Sequence, residues 1–379
     1  MIIQGECAPQ FIELKEIFKK YFEENKESGA NFSIVKNGKV LVNIYGGKKN
    51  HLQNWDEDTI VNTFSLSKGI YAGCIAKLIQ EKIIDIEKKV SFYWPEFKKN
   101  KENIKVKHIL SHQAGLYRFK VKINNEDLLN FDKIIKILEN QDPDHPPGVK
   151  TYYHAKTHGF LVENLIRKTM QLNLKDYFSK NFSKKFNLNF KFGLENIDFK
   201  NVANLEEINV TDLKRVDQEY NAFNNPVHQI DFYNSRIWRE TCVPSMGGHG
   251  SALSIAKFYD ILANDMKYDN NKIISKNNFL NILKISNIKN DGSLGLPIKW
   301  TYSGYIMRGG WLFGKNNESF GHNGWGGSVG FADPVEGIGI SYVTKKINSS
   351  MSADKRVVNL IKKFYEILDN NKSNFSPFG

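Results

Sequence analysis

The sequence predicts an α/β (α+β) protein: an antiparallel sheet built from both ends of the chain, flanked by N- and C-terminal helices, with a mainly helical unit inserted. Three observations carry this expectation. A helix and a hairpin open the chain, two strands and a helix close it, and the patterns between residues 76 and 240 are mainly helical. At 379 residues the chain is long enough for two units. The division is a discontinuous α/β domain (1–75 and 241–379) and an inserted helical domain (76–240), with the active site expected at their interface.

Residues 10–26, QFIELKEIFKKYFEENK, place Phe11, Leu14, Ile17, Phe18, Tyr21 and Phe22 on one helical stripe. The following NFSIVKNGKVLVNIYGG is two β-branched runs joined by Asn37-Gly38, a strong hairpin signal because both residues tolerate positive φ. At the other end GSVGFADPVEGIGISYVTKK reads as two strands around a Pro/Gly turn. DKRVVNLIKKFYEILDNN then reads as an amphipathic helix with Val357, Leu360, Ile361 and Phe364 on one side.

Composition is that of an ordinary globular protein, 41% hydrophobic and 25% charged, without low-complexity blocks or repeats. The net charge of +12 comes mostly from lysines scattered along helical surfaces, and the arginines do not cluster, so no nucleic-acid partner is expected. Cys7, Cys74 and Cys242 are an odd number at no metal-ligand spacing, which predicts neither a disulfide framework nor a metal; Cys74 reads as a buried thiol. No cofactor is implied. The start, MIIQGECAPQF, lacks a basic n-region and an apolar h-region, and no run approaches 18 apolar residues. The expectation is a cytoplasmic protein without a membrane span. Oligomeric state is left open.

The chemistry question centres on S-x-x-K, which occurs four times: Ser33/Lys36, Ser65/Lys68, Ser254/Lys257 and Ser352/Lys355. Ser33 and Lys36 fall on a predicted strand, where that spacing sends the side chains to opposite faces. Ser352 and Lys355 read as a cap and a surface charge at the start of the terminal helix. Ser65 opens a long helical pattern, so neighbouring backbone N–H groups are free to hold an oxyanion, and Lys68 projects from the same face one turn later. If that face is buried, the lysine loses its charge and can accept the serine proton. On these grounds alone Ser254/Lys257 remains a rival.

Three further stretches, VKHILSHQAGL (106–116), PPGVKTYYHAKTHGFLVENLIRK (146–168) and GHNGWGGSVGF (321–331), appear in an order and at separations that resemble the β-lactamase/penicillin-binding superfamily of serine hydrolases. Within it the likeness is greatest to the class C-like branch that holds the family VIII carboxylesterases. NSRIWRETCVPSMGGHGSALSIAKFYDIL (234–262) resembles the segment returning to the α/β domain, which places Ser254 and Lys257 on a structural helix. The resemblance implies a β-lactamase/transpeptidase-like fold with Ser65 as nucleophile, Lys68 as its partner and Tyr153, five residues after Pro147-Gly148, as proton carrier. The adjacent Tyr152 is the bland alternative, a wall or core aromatic. The strand motif, normally Lys-Thr-Gly, reads His322-Asn323-Gly324, with the backbone N–H of Trp325 implied as second oxyanion donor beside that of Ser65. His322, Asn323, Gly324 and Trp325 are the expected substrate-binding residues. His322 in place of Lys weakens the charge that β-lactamases and cell-wall peptidases use to hold a substrate carboxylate, and Ala155 stands where the family often has Asn.

The expected function is a serine hydrolase working through an acyl-enzyme, a carboxylesterase on small or medium acyl esters. Amide hydrolysis (D-aminopeptidase, DD-peptidase, weak β-lactamase), acyl transfer and a non-catalytic binding scaffold are the alternatives; the partner is a small-molecule ester or amide. His108 and His112 are four apart but lack the Glu of H-E-x-x-H and a third ligand, so they do not imply zinc. His249 fits either the cleft mouth or a turn cap, and Trp325 an acyl-pocket wall. The glycines of GWGGSVG precede a strand, which fails the context of a phosphate loop. The substrate pockets are expected to come largely from residues 115–145 and 170–235.

Overall fold

The structure is a computed structural model that describes residues 2–207, 221–264, 267–268, 271–272, 279, 281–287, 290–307, 312–348 and 354–374. Ser352 and the arginines at 215 and 308 lie outside them. Nine strands form one antiparallel sheet: β1 (Gln4–Cys7), β2 (Gly29–Lys36), β3 (Lys39–Gly47), β4 (Ile285–Asn287), β5 (Trp300–Thr301), β6 (Ile306–Met307), β7 (Phe320–Asn323), β8 (Val329–Asp333) and β9 (Ile338–Thr344), in the order β1-β3-β2-β9-β8-β7-β6-β5-β4. The two ends of the chain meet at its centre, where Ile34 pairs with Ile340 and Phe32 with Tyr342. Asn37 (φ 50°) and Gly38 (φ 77°) make the turn between β2 and β3.

Alternation along β2 sorts the layers. Ala30, Phe32 and Ile34 face the terminal helices α1 (Ile12–Glu23) and α5 (Lys355–Asn374), whose Leu14, Phe18, Val357, Leu360 and Phe364 share their buried cluster. The Phe11 and Phe364 rings meet at 5.1 Å. On the opposite face Asn31 Oδ1 accepts the N–H of Ala252 (2.9 Å) at the start of α4 (Ala252–Ala263). That helix lies so close that a Cβ at Gly339 would meet the Ala256 carbonyl at 2.1 Å.

Between these ends run α2 (Leu66–Gln80), α3 (Thr157–Met170) and shorter helices at Val90–Tyr93, Val106–Leu110, Phe131–Asn140, Leu174–Phe178, Ile230–Asn234 and Arg236–Glu240. Helix α2 runs across the division drawn at residues 75 and 76. It is apolar around most of its circumference and buried over nearly its whole length, as expected of a helix enclosed by other elements. Its polar residues are therefore conspicuous. Gly69 permits the approach to the sheet, since a Cβ there would meet Tyr259 Oη at 2.1 Å and His322 Cβ at 3.0 Å. Among the described residues no helix is long and apolar enough to cross a membrane.

Candidate active site

A small sheet steers the chain into α2. Val61–Asn62 and Phe190–Phe192 both pair with Gly248–Gly250. Asn62 Oδ1 accepts the Phe64 N–H (2.9 Å), and Phe64 adopts a left-handed φ of 47°, uncommon for a bulky residue. This turn sets Ser65 at the N-cap of α2, partly exposed, at the positive end of the helix dipole. Among the described residues neither the Ser65 nor the Trp325 backbone N–H donates a hydrogen bond.

Lys68, one turn on, is fully buried, and its Nζ lies 3.1 Å from Ser65 Oγ, 2.7 Å from the Ala155 carbonyl and 2.9 Å from the Ser245 carbonyl. Burial pushes its pKa well below the usual 10.5. Desolvation of a fully buried ammonium thus favours the neutral amine. A neutral amine has two hydrogens and one lone pair. The two carbonyls take the hydrogens, which leaves the lone pair for the Ser65 hydroxyl to donate to.

Tyr153 is buried beside this pair, with Lys68 Nζ 5.1 Å from its ring centre. Burial raises its pKa, the hydrogen bond to Ser65 lowers it in part, and Asp291 raises it further, so the phenol keeps its proton at rest. The ring lies flat on Trp300 (5.3 Å, 7°). Asp291 fixes both: Oδ1 accepts the Tyr153 N–H (3.0 Å) and Oδ2 the Trp300 Nε1–H (3.0 Å). Tyr152 turns elsewhere, stacked on Tyr117 at 4.5 Å.

The end of β7 forms the opposite wall. His322 is buried, donates Nδ1–H to the Asn323 carbonyl (2.7 Å) and sits 6.1 Å from the Tyr153 ring. Gly324 is pressed against the Ser65 turn, since a Cβ there would meet the Thr63 carbonyl at 2.1 Å. Trp325 packs edge-on against Phe64 (5.1 Å) and over His228 (4.7 Å). Behind it the Gly326 carbonyl accepts from Arg356, whose guanidinium is clamped by Glu27 and Asp354 at 2.6 Å each.

Ser65, Tyr153, His228, His322, Asn323 and Trp325 line a cleft open to solvent, whose other walls are Phe64, Ala155, Lys156, Phe223, Met246, Leu294, Trp300 and Ile306. Of the segments expected to form the pockets, only Phe223 and His228 reach it among the described residues. Met246 and the 294–306 stretch supply apolar surface that sequence patterning had not pointed to, because short irregular strands carry no period. Lys156, His228 and Asp291 were not expected at the site either. Lys156 lies in a quoted stretch, and Asp291-Gly292 signals only a turn.

The remaining candidates have other duties. Ser33 hydrogen-bonds Asn43 (2.8 Å) and Ser254 Oγ accepts the Asn189 N–H (2.6 Å), each with no lysine partner. His249 is buried on its strand, bonded to the Gly247 carbonyl (3.0 Å) and outside the cleft lining. His112 packs beneath the site, 4.1 Å from Trp300 and 4.3 Å from His158, with Nδ1 accepting the His154 N–H. His108 accepts the Lys105 N–H. Burial lowers the pKa of His112, His154 and His158, so this cluster is neutral. Among the described residues no group of three or more His, Cys, Asp or Glu side chains is placed to hold a metal.

Residues 14–362 match the Beta-lactamase family. The chain belongs to it. It is a serine hydrolase of the beta-lactamase fold. Over 367 residues it is 23% identical to the esterase/beta-lactamase LipL of Mycobacterium tuberculosis, covering 92% of this chain and 84% of that protein. A family VIII carboxylesterase crystal structure superposes with a TM-score of 0.91 at 30% identity, over 97% of this chain and all of that one. A penicillin-binding protein homolog from Caulobacter crescentus does so with a TM-score of 0.90 at 27% identity and the same coverage.

Proposed function

We propose that this family member is a carboxylesterase that works through an acyl-enzyme on Ser65. The observation that carries the reading is the buried Lys68 amine, 3.1 Å from the Oγ of Ser65 with two carbonyls occupying its hydrogens, behind an apolar-walled cleft that Ser65 lines. Ser65 passes its proton to Lys68 as Oγ attacks the ester carbonyl. The N–H groups of Ser65 and Trp325 receive the oxyanion. Tyr153 gives its proton to the departing alkoxide and is reprotonated from the Lys68 ammonium; water enters by the reverse route and releases the acid. The sheet-bearing unit supplies Ser65, Lys68 and the β7 edge, and the inserted unit supplies Tyr153. The relative described as a family VIII carboxylesterase supports esters, as does His322 in the position of a lysine, and the one described as an esterase/beta-lactamase fits either chemistry.

The test is the pre-steady-state release of p-nitrophenol from p-nitrophenyl butyrate. A stoichiometric burst is expected from the wild type and none from Ser65→Ala. Absence of acylation by this ester and by a fluorophosphonate would sink the reading, and faster turnover of D-amino-acid amides or nitrocefin would move it to amide chemistry.

A further inference from the structure

Among the described residues Lys156 is the one lysine or arginine in the cleft lining, and the reaction leaves it without a task. It stands at the N-cap of α3, three residues after Tyr153, only 2% exposed, and lines the cleft. Its Nζ donates to the carbonyls of Phe223 (2.5 Å) and Pro226. An ammonium has three hydrogens, so one donor remains, and among the described residues no carboxylate pairs with it.

Among the described residues three other buried cations are paired with carboxylates, and a fourth, Arg239, is held by the Asn204 and Asn234 amide oxygens outside the cleft lining. Lys49 holds Asp56 at 2.7 Å, Lys345 holds Glu206 at 2.6 Å, and Arg356 holds Glu27 and Asp354 at 2.6 Å each. Lys101, set between the Lys99 and Glu139 carbonyls, is outside the cleft lining. Lys68 is turned to Ser65 and lies behind the cleft wall, whereas Lys156 is part of that wall. Burial without a counter-ion leaves the Lys156 amine only partly protonated near neutral pH, and a ligand that brings the opposite charge draws it to the charged form.

We propose that Lys156 binds a carboxylate carried by the ester substrate, a second anchor beside the carbonyl that Ser65 attacks. The proposal rests on the esterase reading. Phe64, Phe223, Met246 and Trp325 make the surroundings apolar, which strengthens an ion pair formed there and leaves water little share in it. His228, another titratable group of the cleft, is kept neutral by burial and by the Lys156 charge and is hydrogen-bonded to Tyr233 at 2.6 Å, so it adds no second cation. Desolvation has brought the Lys156 pKa down to about 7, and an arriving carboxylate reverses that shift. The chain would thus recognise an anion from the start of α3, while the strand position usually occupied by lysine in its relatives carries His322.

The test compares matched esters with and without a carboxylate. One pair, mono-p-nitrophenyl glutarate and p-nitrophenyl hexanoate, carries it on the acyl side; the other, 4-acetoxybenzoate and phenyl acetate, on the leaving group. In at least one pair the ratio of kcat/KM, anionic over neutral, should be tenfold or more higher in the wild type than in Lys156→Met, with Lys156→Arg in between. Ratios unchanged within twofold in both pairs overturn the proposal, even where Lys156→Met lowers all rates by loosening the 223–226 segment. Hydrolysis of the neutral esters reports on the esterase reading separately. A readout without turnover is calorimetric titration of monomethyl glutarate and 4-acetoxybenzoate into Ser65→Ala. Binding of one of them that disappears in Ser65→Ala/Lys156→Met supports the anchor, and no binding of either to Ser65→Ala overturns it.

Discussion

Gly324→Ala tests the placement of the Trp325 N–H against the Ser65 turn without replacing any side chain assigned to the reaction. In the native structure an added Cβ would lie 2.1 Å from the Thr63 carbonyl oxygen, whereas Cβ contacts below 3.0 Å are essentially unknown. The β7 edge or the Ser65 turn must therefore retreat by about 1 Å, a displacement that costs on the order of 10²-fold in rate when it moves a reacting group. Loss of one oxyanion donor costs ~10²–10³ in kcat, so kcat for p-nitrophenyl butyrate should fall about a hundredfold or more. Overpacking costs roughly 1–3 kcal/mol, within the margin of a domain stable by ~5–15 kcal/mol, so the variant should fold with a lowered Tm. The assay pairs steady-state kinetics with thermal denaturation. A folded variant whose kcat stays within threefold of the wild type would refute the assignment of Trp325 as oxyanion donor.

Two other outcomes follow from the same geometry. Lys68 must be neutral to accept the Ser65 proton, and its folded-state pKa is lowered; kcat/KM should therefore hold above that pKa and fall about tenfold per pH unit below it, a limb that stopped-flow acylation rates across pH will show or exclude. Asp291→Ala orphans the Tyr153 and Trp300 N–H groups, each worth ~1–3 kcal/mol, and should lower Tm and kcat together, whereas Asp291→Asn, which keeps an acceptor oxygen, should recover much of kcat; equal kcat in the two variants would remove Asp291 from any positioning role.

Local signals were legible where period and turn chemistry speak for themselves. Asn37-Gly38 announced its hairpin, and the apolar stripes of α1 and α5 announced the faces they bury. The S-x-x-K at Ser33 could be set aside by strand alternation alone. The candidate site was legible only as far as chemistry is written in consecutive residues, which pointed to Ser65, Lys68, Tyr153 and the Asn323-Gly324 turn that the fold brings together. Lys156 looks in sequence like any of the many surface lysines; its difference lies in the Phe223 and Pro226 carbonyls that long-range packing brings to it. Asp291 is hidden for the same reason, and the two-residue strands Trp300–Thr301 and Ile306–Met307 are too short to show alternation.

The pairing of β2 with β9 has a consequence for how the chain is made. Residues 29–36 leave the ribosome roughly 300 residues ahead of their partner at 338–344, and at ~5–20 residues per second the interval is on the order of 15–60 s. During it an apolar strand has one bare edge, open to any other chain with a matching edge. The Trp325 turn is likewise clamped from afar, by Glu27 near one end of the chain and Arg356 near the other. A growing chain therefore carries Ser65 and Lys68 long before it carries β7, β9 and Arg356, the frame that aligns them.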